Sequence, residues 1–213
     1  MPAYPPQVGD DLVWAEAFTP ARRGPALFLD RDGVVVEEVH FLHRPDDVRL
    51  LPGAVDTIRA ANARRVHVVL VTNQSGIARG LFGWDAFAAV QRRLVELLGR
   101  AGARVDAVVA SPYHADGRPP YDVAEHPSRK PRPGMLLKAA GLLDIELNRS
   151  WIAGDRDVDV EAGRKAGLAG ALHLATGYGR EHRARALALA RPGYPVLAAP
   201  DLTAAPGLIP LLR

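Results

Sequence analysis

Asp30 and Asp32 in FLDRDGV (residues 28–34) stand one residue apart, where the apolar run Ala26–Leu29 gives way to charge and a glycine. That order predicts a buried strand delivering both carboxylates to the edge of a sheet. A carboxylate there can bind a hard cation such as Mg²⁺, or attack phosphorus and form an aspartyl-phosphate. The pair alone is ambiguous, because surface turns also favour Asp and Gly for their backbone angles.

Later segments repeat the pattern of an apolar run ending in polar groups. TNQSG (72–76) follows the run at 66–71. RKP (129–131) closes a long loop, 111–128, that follows the run at 105–110, and GDRDVD (154–159) follows residues 151–153. Asp30, Asp32 and Asp155 are expected to converge around one Mg²⁺, which prefers oxygen ligands. Thr72 offers a hydroxyl to phosphate oxygens, and the turn through Asn73, Gln74 and Ser75 offers backbone N–H groups. Lys130 supplies a cation to offset charge in the transition state, and Asp32 is placed to protonate the leaving oxygen and then activate water. Each residue also has a plainer role. Thr72, Asn73 and Gly76 suit a strand end and turn, Lys130 a solvated loop, and Asp155 and Asp159 the cap of a helix.

The elements that must position these groups alternate. Short β-branched runs at 26–29, 66–71, 105–110, 151–153 and 171–174 are separated by helical patterns. In Trp84–Arg100, Phe87, Val90, Leu94 and Leu97 recur at helical spacing and predict an amphipathic helix. Residues 133–143 open a second helix with Pro133 in its first turn, 157–166 a third that ends before Gly167, and 184–190 read as helical. Such alternation implies an α/β fold: a three-layer, Rossmann-like, doubly wound parallel sheet whose ligands bind beyond the carboxyl ends of its strands. Residues 1–25 read as a leader packed on a single domain, 26–213. Both the leader and the tail after Pro192 look like peripheral wrapping.

The composition of the 213 residues, 48% hydrophobic and 24% charged, is that of a soluble globular protein. No apolar stretch is long enough for a bilayer, and the first residues lack the basic-then-apolar order of a signal peptide. A cytoplasmic monomer without membrane contact is expected. The absence of cysteine removes disulfides, thiolate nucleophiles and thiolate metal sites. A net charge of +3 invites a nucleic-acid partner. However, only Lys130, Lys138 and Lys165 among the 27 basic residues are lysine, and the arginines are scattered among acids. That bias reads as the mark of a GC-rich genome, and no nucleic-acid partner is expected.

The ordered set LDRDGV, VTNQSGIARG, RKPRPGM and GDRDVD resembles the haloacid dehalogenase-like phosphatases over roughly residues 26–176. More narrowly, it is similar to their heptose-bisphosphate and histidinol-phosphate branches, and VTNQSGIARG favours the first. The resemblance implies Asp30 as nucleophile and Asp32 as general acid/base. It implies Thr72 and Lys130 on the phosphoryl group, and Asp30, Asp155 and the Asp32 carbonyl on Mg²⁺. Asn73 and Arg129 match substrate-contacting positions. Arg156 stands where lysine is common, which keeps the charge but changes its geometry. Residues 38–41 fall in a substrate-contacting loop but depart from its usual pattern. About forty residues separate Asp32 from Thr72, leaving room for a loop and one helix, so a capless fold is expected. Many relatives bind zinc through C-x-H and C-x-C before RKP. Here those stretches are Ser111-Pro112-Tyr113 and His126-Pro127-Ser128, and no zinc is expected.

The expected activity is Mg²⁺-dependent hydrolysis of a small phosphorylated metabolite, D-glycero-D-manno-heptose 1,7-bisphosphate first and histidinol phosphate or another sugar phosphate second. A nucleic-acid end phosphatase or a non-catalytic phosphate-binding protein are the competing classes.

Overall fold

The computed structural model describes residues 5–213. Its strands are β1 Trp14–Ala17, β2 Ala26–Leu29, β3 His67–Asn73, β4 Ala107–Ser111, β5 Trp151–Gly154, β6 Gly170–Leu174 and β7 Val196–Ala199. They form one sheet in the order β1-β4-β3-β2-β5-β6-β7, parallel throughout except for antiparallel β1. Every residue of β2, β4, β5 and β6 is buried. Successive side chains point to opposite faces, so unbroken burial means that both faces are covered. This is the doubly wound α/β sheet expected from the alternation.

The helices are α1 Ala54–Ala63, α2 Ser75–Ala78, α3 Trp84–Arg100, α4 Gly134–Leu143, α5 Asp157–Lys165, α6 Gly179–Leu187 and α7 Ala205–Leu208. α3 buries Phe87, Val90, Leu94 and Leu98, while Leu97 is only half-buried. Each such side chain contributes about 1.5–3 kcal/mol by leaving water. Gln91 lies buried on the same stripe. Pro133 forms the N-cap of α4 instead of entering its first turn, and α6 begins five residues before the predicted 184.

Each of the two segments read as wrapping contributes a four-residue edge strand to the sheet. Backbone pairing decided this: β1 aligns Trp14 with Ala110, and β7 aligns Val196 with Ala171. An edge strand needs only one partner and can remain half-exposed, so its sequence alternates weakly. Among the described residues no helix is long and apolar enough to cross a membrane.

The chain winds outward from β2 through β3 to β4, then returns to β5 on the other side of β2. The crevice for ligands in such a sheet lies at that reversal, beyond the strand ends.

Candidate active site

Asp30 follows the last residue of β2, and its N–H donates to Ala153 O at 3.0 Å, so the end of β5 fixes its backbone. Thr72 belongs to β3, Asp155 follows β5, and Lys130 comes in from the loop before α4. Lys130 is buried, and its Nζ lies 2.9 Å from Asp30 Oδ1, 2.6 Å from Asp159 Oδ1 and 2.7 Å from Val71 O. Burial alone would depress the lysine pKa, but Asp159 and Asp30 outweigh it and hold the ammonium above its usual range. The plainer reading of Lys130, a solvated loop charge, does not survive this geometry.

Three carboxylates crowd this cation. Oxygens of Asp30, Asp155 and Asp159 lie within 4.8 Å of one another, and all three residues are buried. Burial, with Asp159 and Asp32 adding to it against Lys130, raises the Asp30 pKa to about 7. Burial and the charges of Asp30 and Asp159 raise Asp155 to about 8. Gly33 and Gly177, both at positive φ, let backbone close over Asp155. A Cβ on either would come within 2.7 Å and 2.3 Å of Asp155 Oδ2.

Asp32 sits in different surroundings. Its Oδ2 accepts from Gln74 Nε2 at 2.9 Å and from Thr72 Oγ1 at 3.4 Å, and Arg31 grips both oxygens. Gln74 also donates to Thr72 Oγ1 at 2.8 Å. Asn73 exchanges two 3.1 Å hydrogen bonds with the backbone of Lys130 and so ties the end of β3 to the lysine loop. Asp30, Asp32, Thr72, Lys130 and Asp155 line one small hollow together with Glu38 and Arg156. This opens onto a cleft of about 340 Å³ bounded by Phe41, Gln74, Ser75 and Tyr178. Arg156 is exposed, with its guanidinium 5.5 Å from the Tyr178 ring centre. Arg129 is half-buried and donates to Tyr113 O at 2.7 Å. Burial, then Arg156 and Arg79, lowers its pKa to about 10. It lines a neighbouring hollow with Lys130, outside the small one around Asp30. A larger cleft of about 500 Å³ lies between β1 and α3 and contains none of these groups.

Comparison with known proteins decides the family. A model described as HAD-hyrolase-like matches residues 127–205. A D-glycero-beta-D-manno-heptose-1,7-bisphosphate 7-phosphatase of Mesorhizobium japonicum is 46% identical over 79% of this chain and 76% of its own length. The chain belongs to the haloacid dehalogenase-like phosphatases. A solved HAD-like phosphatase from Mesorhizobium loti superposes with a TM-score of 0.86 at 38% identity, covering 98% of this chain and 96% of that one. The D,D-heptose 1,7-bisphosphate phosphatase of B. bronchiseptica, solved with magnesium and phosphate, gives a TM-score of 0.71 at 34% identity over 85% and 95%.

Phosphatases of this family use Mg²⁺, and the residues here suit it. All the donors, the carboxylates of Asp30 and Asp155 and the Asp32 carbonyl, are oxygens, as a small hard cation prefers. Asp155 Oδ2 accepts the Tyr178 N–H at 2.8 Å, whereas its Oδ1 is buried without a hydrogen-bond partner. A buried carboxylate oxygen left bare is costly, and a cation would relieve it. Both Asp159 oxygens are engaged, by Lys130 Nζ and by the Arg156 N–H at 3.1 Å.

As in capless members of the family, the described residues carry no separate lid domain between β2 and β3 or between β3 and β4. The loop at 111–128 is held by contacts within the chain. The rings of Tyr113 and His126 stack at 3.5 Å, and Tyr113 donates to Asp11 O. His126 Nδ1 accepts from Ser128 N, and His114 Nδ1 from Asp116 N. Burial lowers the pKa of both histidines.

Two residues escaped the reading of the sequence. Asp159 could be read only as a helix cap, and it does cap α5. The sequence gives no sign that its other oxygen reaches Lys130. Arg31 carried no assignment at all, and its full burial is a tertiary fact.

Proposed function

We propose that this phosphatase removes the 7-phosphate from D-glycero-D-manno-heptose 1,7-bisphosphate through an aspartyl-phosphate on Asp30. The observation that carries the chemistry is the pairing of two unlike carboxylates at one strand end. Asp30 lies against buried Lys130, and Asp32 lies among Arg31, Gln74 and Thr72. Mg²⁺, held by Asp30, Asp155 and the Asp32 main-chain carbonyl, would neutralise phosphate charge and orient phosphorus toward the nucleophile. An Asp30 oxygen attacks phosphorus as the bond to the sugar oxygen breaks, and Asp32 gives that oxygen its proton. Lys130 and the Thr72 hydroxyl stabilise the charge on the transferring group, with backbone N–H groups of the turn at Asn73–Ser75. Water then attacks phosphorus and gives a proton to Asp32. Phosphate leaves and Asp30 is restored.

The choice of sugar rests on relatives named for this substrate and on cations beside the site. Arg156 lines the cleft, and Arg129 stands close enough to it for their charges to interact. A second phosphate, remote from the reacting one, offers a dianion that guanidinium grips in a fork. That binding energy positions the reacting phosphate. Histidinol phosphate presents an amine and an imidazole instead, which Glu38 in the cleft could accept. A phosphate-release screen over heptose bisphosphates, histidinol phosphate, hexose phosphates and nucleotides tests the reading. The expected result is the highest kcat/KM for the heptose bisphosphate, lost preferentially in Arg129→Ala. Faster turnover of histidinol phosphate, with Arg129→Ala indifferent to the remote phosphate, would replace the substrate but not the chemistry.

A further inference from the structure

We propose that Arg31 is a positioning residue for the acid/base carboxylate of Asp32, and that Gln91 on α3 holds Arg31 in that role. The inference rests on the reading of Asp32 given above. Arg31 stands between the two aspartates, yet its side chain turns into the core and has no exposure. A buried guanidinium is costly unless its N–H groups are matched. Its Nε and Nη2 donate to Asp32 Oδ1 at 3.1 and 2.9 Å, and Nη2 also reaches Oδ2 at 2.8 Å. Nη1 donates to Gln91 Oε1 at 3.1 Å, and the guanidinium carbon lies 5.5 Å from the Phe87 ring centre.

Asp32 is therefore held from two sides. Arg31 grips it from the core, and Gln74 and Thr72 hold it from β3. The side chain keeps 18% exposure and lines both the small hollow and the wider cleft. A planar fork fixes the plane of a carboxylate as well as its position, which a lysine ammonium cannot do.

Gln91 supports the same conclusion from a distance. It is 2% exposed on a helix stripe otherwise made of Trp84, Phe87, Ala88, Val90, Leu94 and Leu98. A buried amide there is unfavourable unless it is bonded; its oxygen takes the Arg31 donor, while its Nε2 is buried without a hydrogen-bond partner among the described residues. An ion pair of this kind adds little net stability over an apolar pair of the same size. Its effect is to set where the Asp32 carboxylate points.

The test exploits the leaving group. For this mechanism kcat/KM ends at the first irreversible step, in which the Asp30–phosphorus bond forms and the leaving oxygen takes the Asp32 proton. A sugar oxygen needs that proton, whereas p-nitrophenolate departs without it. In the Mg²⁺-loaded full chain, Arg31→Lys should lower kcat/KM for the heptose bisphosphate by roughly ten- to hundred-fold, with the loss in kcat and KM held. The same variant should change kcat/KM for p-nitrophenyl phosphate by less than about threefold. Gln91→Met should give a smaller loss with the same selectivity, roughly three- to tenfold. Equal losses on both esters, or none on either, would overturn the proposal. If Arg31→Lys does not fold, Gln91→Met decides: a selective loss upholds the proposal and an unselective or absent one ends it. Asp32→Asn separates the two layers of inference. If it shows no leaving-group dependence, the acid/base reading itself fails. If it does and Arg31→Lys does not, only the role of Arg31 falls.

Discussion

Replacing Lys130 by methionine conserves the volume of the side chain and removes a cation in contact with both Asp30 and Asp159. The pair is buried, with side-chain exposures of 1% for both Lys130 and Asp159. Breaking such a pair from one side costs about 3–5 kcal/mol, because a buried charge is left without its partner. At this chain length about 2–4 °C of Tm accompanies each kcal/mol, so the variant should melt roughly 6–20 °C lower. The size of the loss should depend on pH. Asp30 and Asp155 have folded pKa values of about 7 and about 8, above the unfolded value of 3.8. Carboxyls raised in this way bind protons in the folded chain that the unfolded chain has released, so their contribution to stability declines as pH rises through that interval. Lys130 lowers both pKa values, and its removal leaves them higher still. The deficit should therefore be larger at about pH 8 than at about pH 5.5, where the acids take up protons and the charge disappears. Scanning calorimetry of wild type and Lys130→Met in EDTA at both pH values measures this. Equal Tm losses at the two pH values would refute the electrostatic account. Phosphate release should fall at least about a hundred-fold in the same variant.

Asp30→Asn should abolish turnover, since an amide does not attack phosphorus; near wild-type Mg²⁺-dependent phosphate release in that variant would sink the covalent mechanism. For the wild-type chain in EDTA, Tm should fall between about pH 5.5 and pH 8, and added Mg²⁺ should reverse the fall by satisfying the crowded carboxylates. A Tm that is flat with pH, or blind to Mg²⁺, would show that Asp30 and Asp155 do not form the cation site. Protein purified without chelator should contain well under one zinc per chain, because Ser111, Tyr113 and Ser128 are poor zinc ligands. Stoichiometric, tightly held zinc by elemental analysis would contradict that expectation.

The central strands, the order of the four polar endings and the family were legible in the sequence because they are local. A strand buried on both faces reads as an unbroken apolar run, and Ala26–Leu29 breaking into DRDG can be recognised without knowing its neighbours. The same holds for α3, whose stripe depends only on helical period, although Leu98 and not Leu97 completes it. Pairing between distant segments was not legible. Residues 14–17 and 196–199 are strands because β4 and β6 offer open edges, and four-residue edge segments carry little alternation. The site divides in the same way. Asp30, Asp32, Thr72 and Asp155 could be named from the motifs, since the ends of parallel strands necessarily meet, and Lys130 from the RKP that closes the loop before α4. The partners of each were set by the tertiary structure alone. Lys130 bridges Asp30 and Asp159, Arg31 turns under the site to Asp32 and Gln91, and Tyr113 stacks on His126. Those contacts join residues as far apart in sequence as Asp30 and Lys130. They depend on rotamers chosen by burial and by the need to pair every buried charge, neither of which a linear pattern encodes.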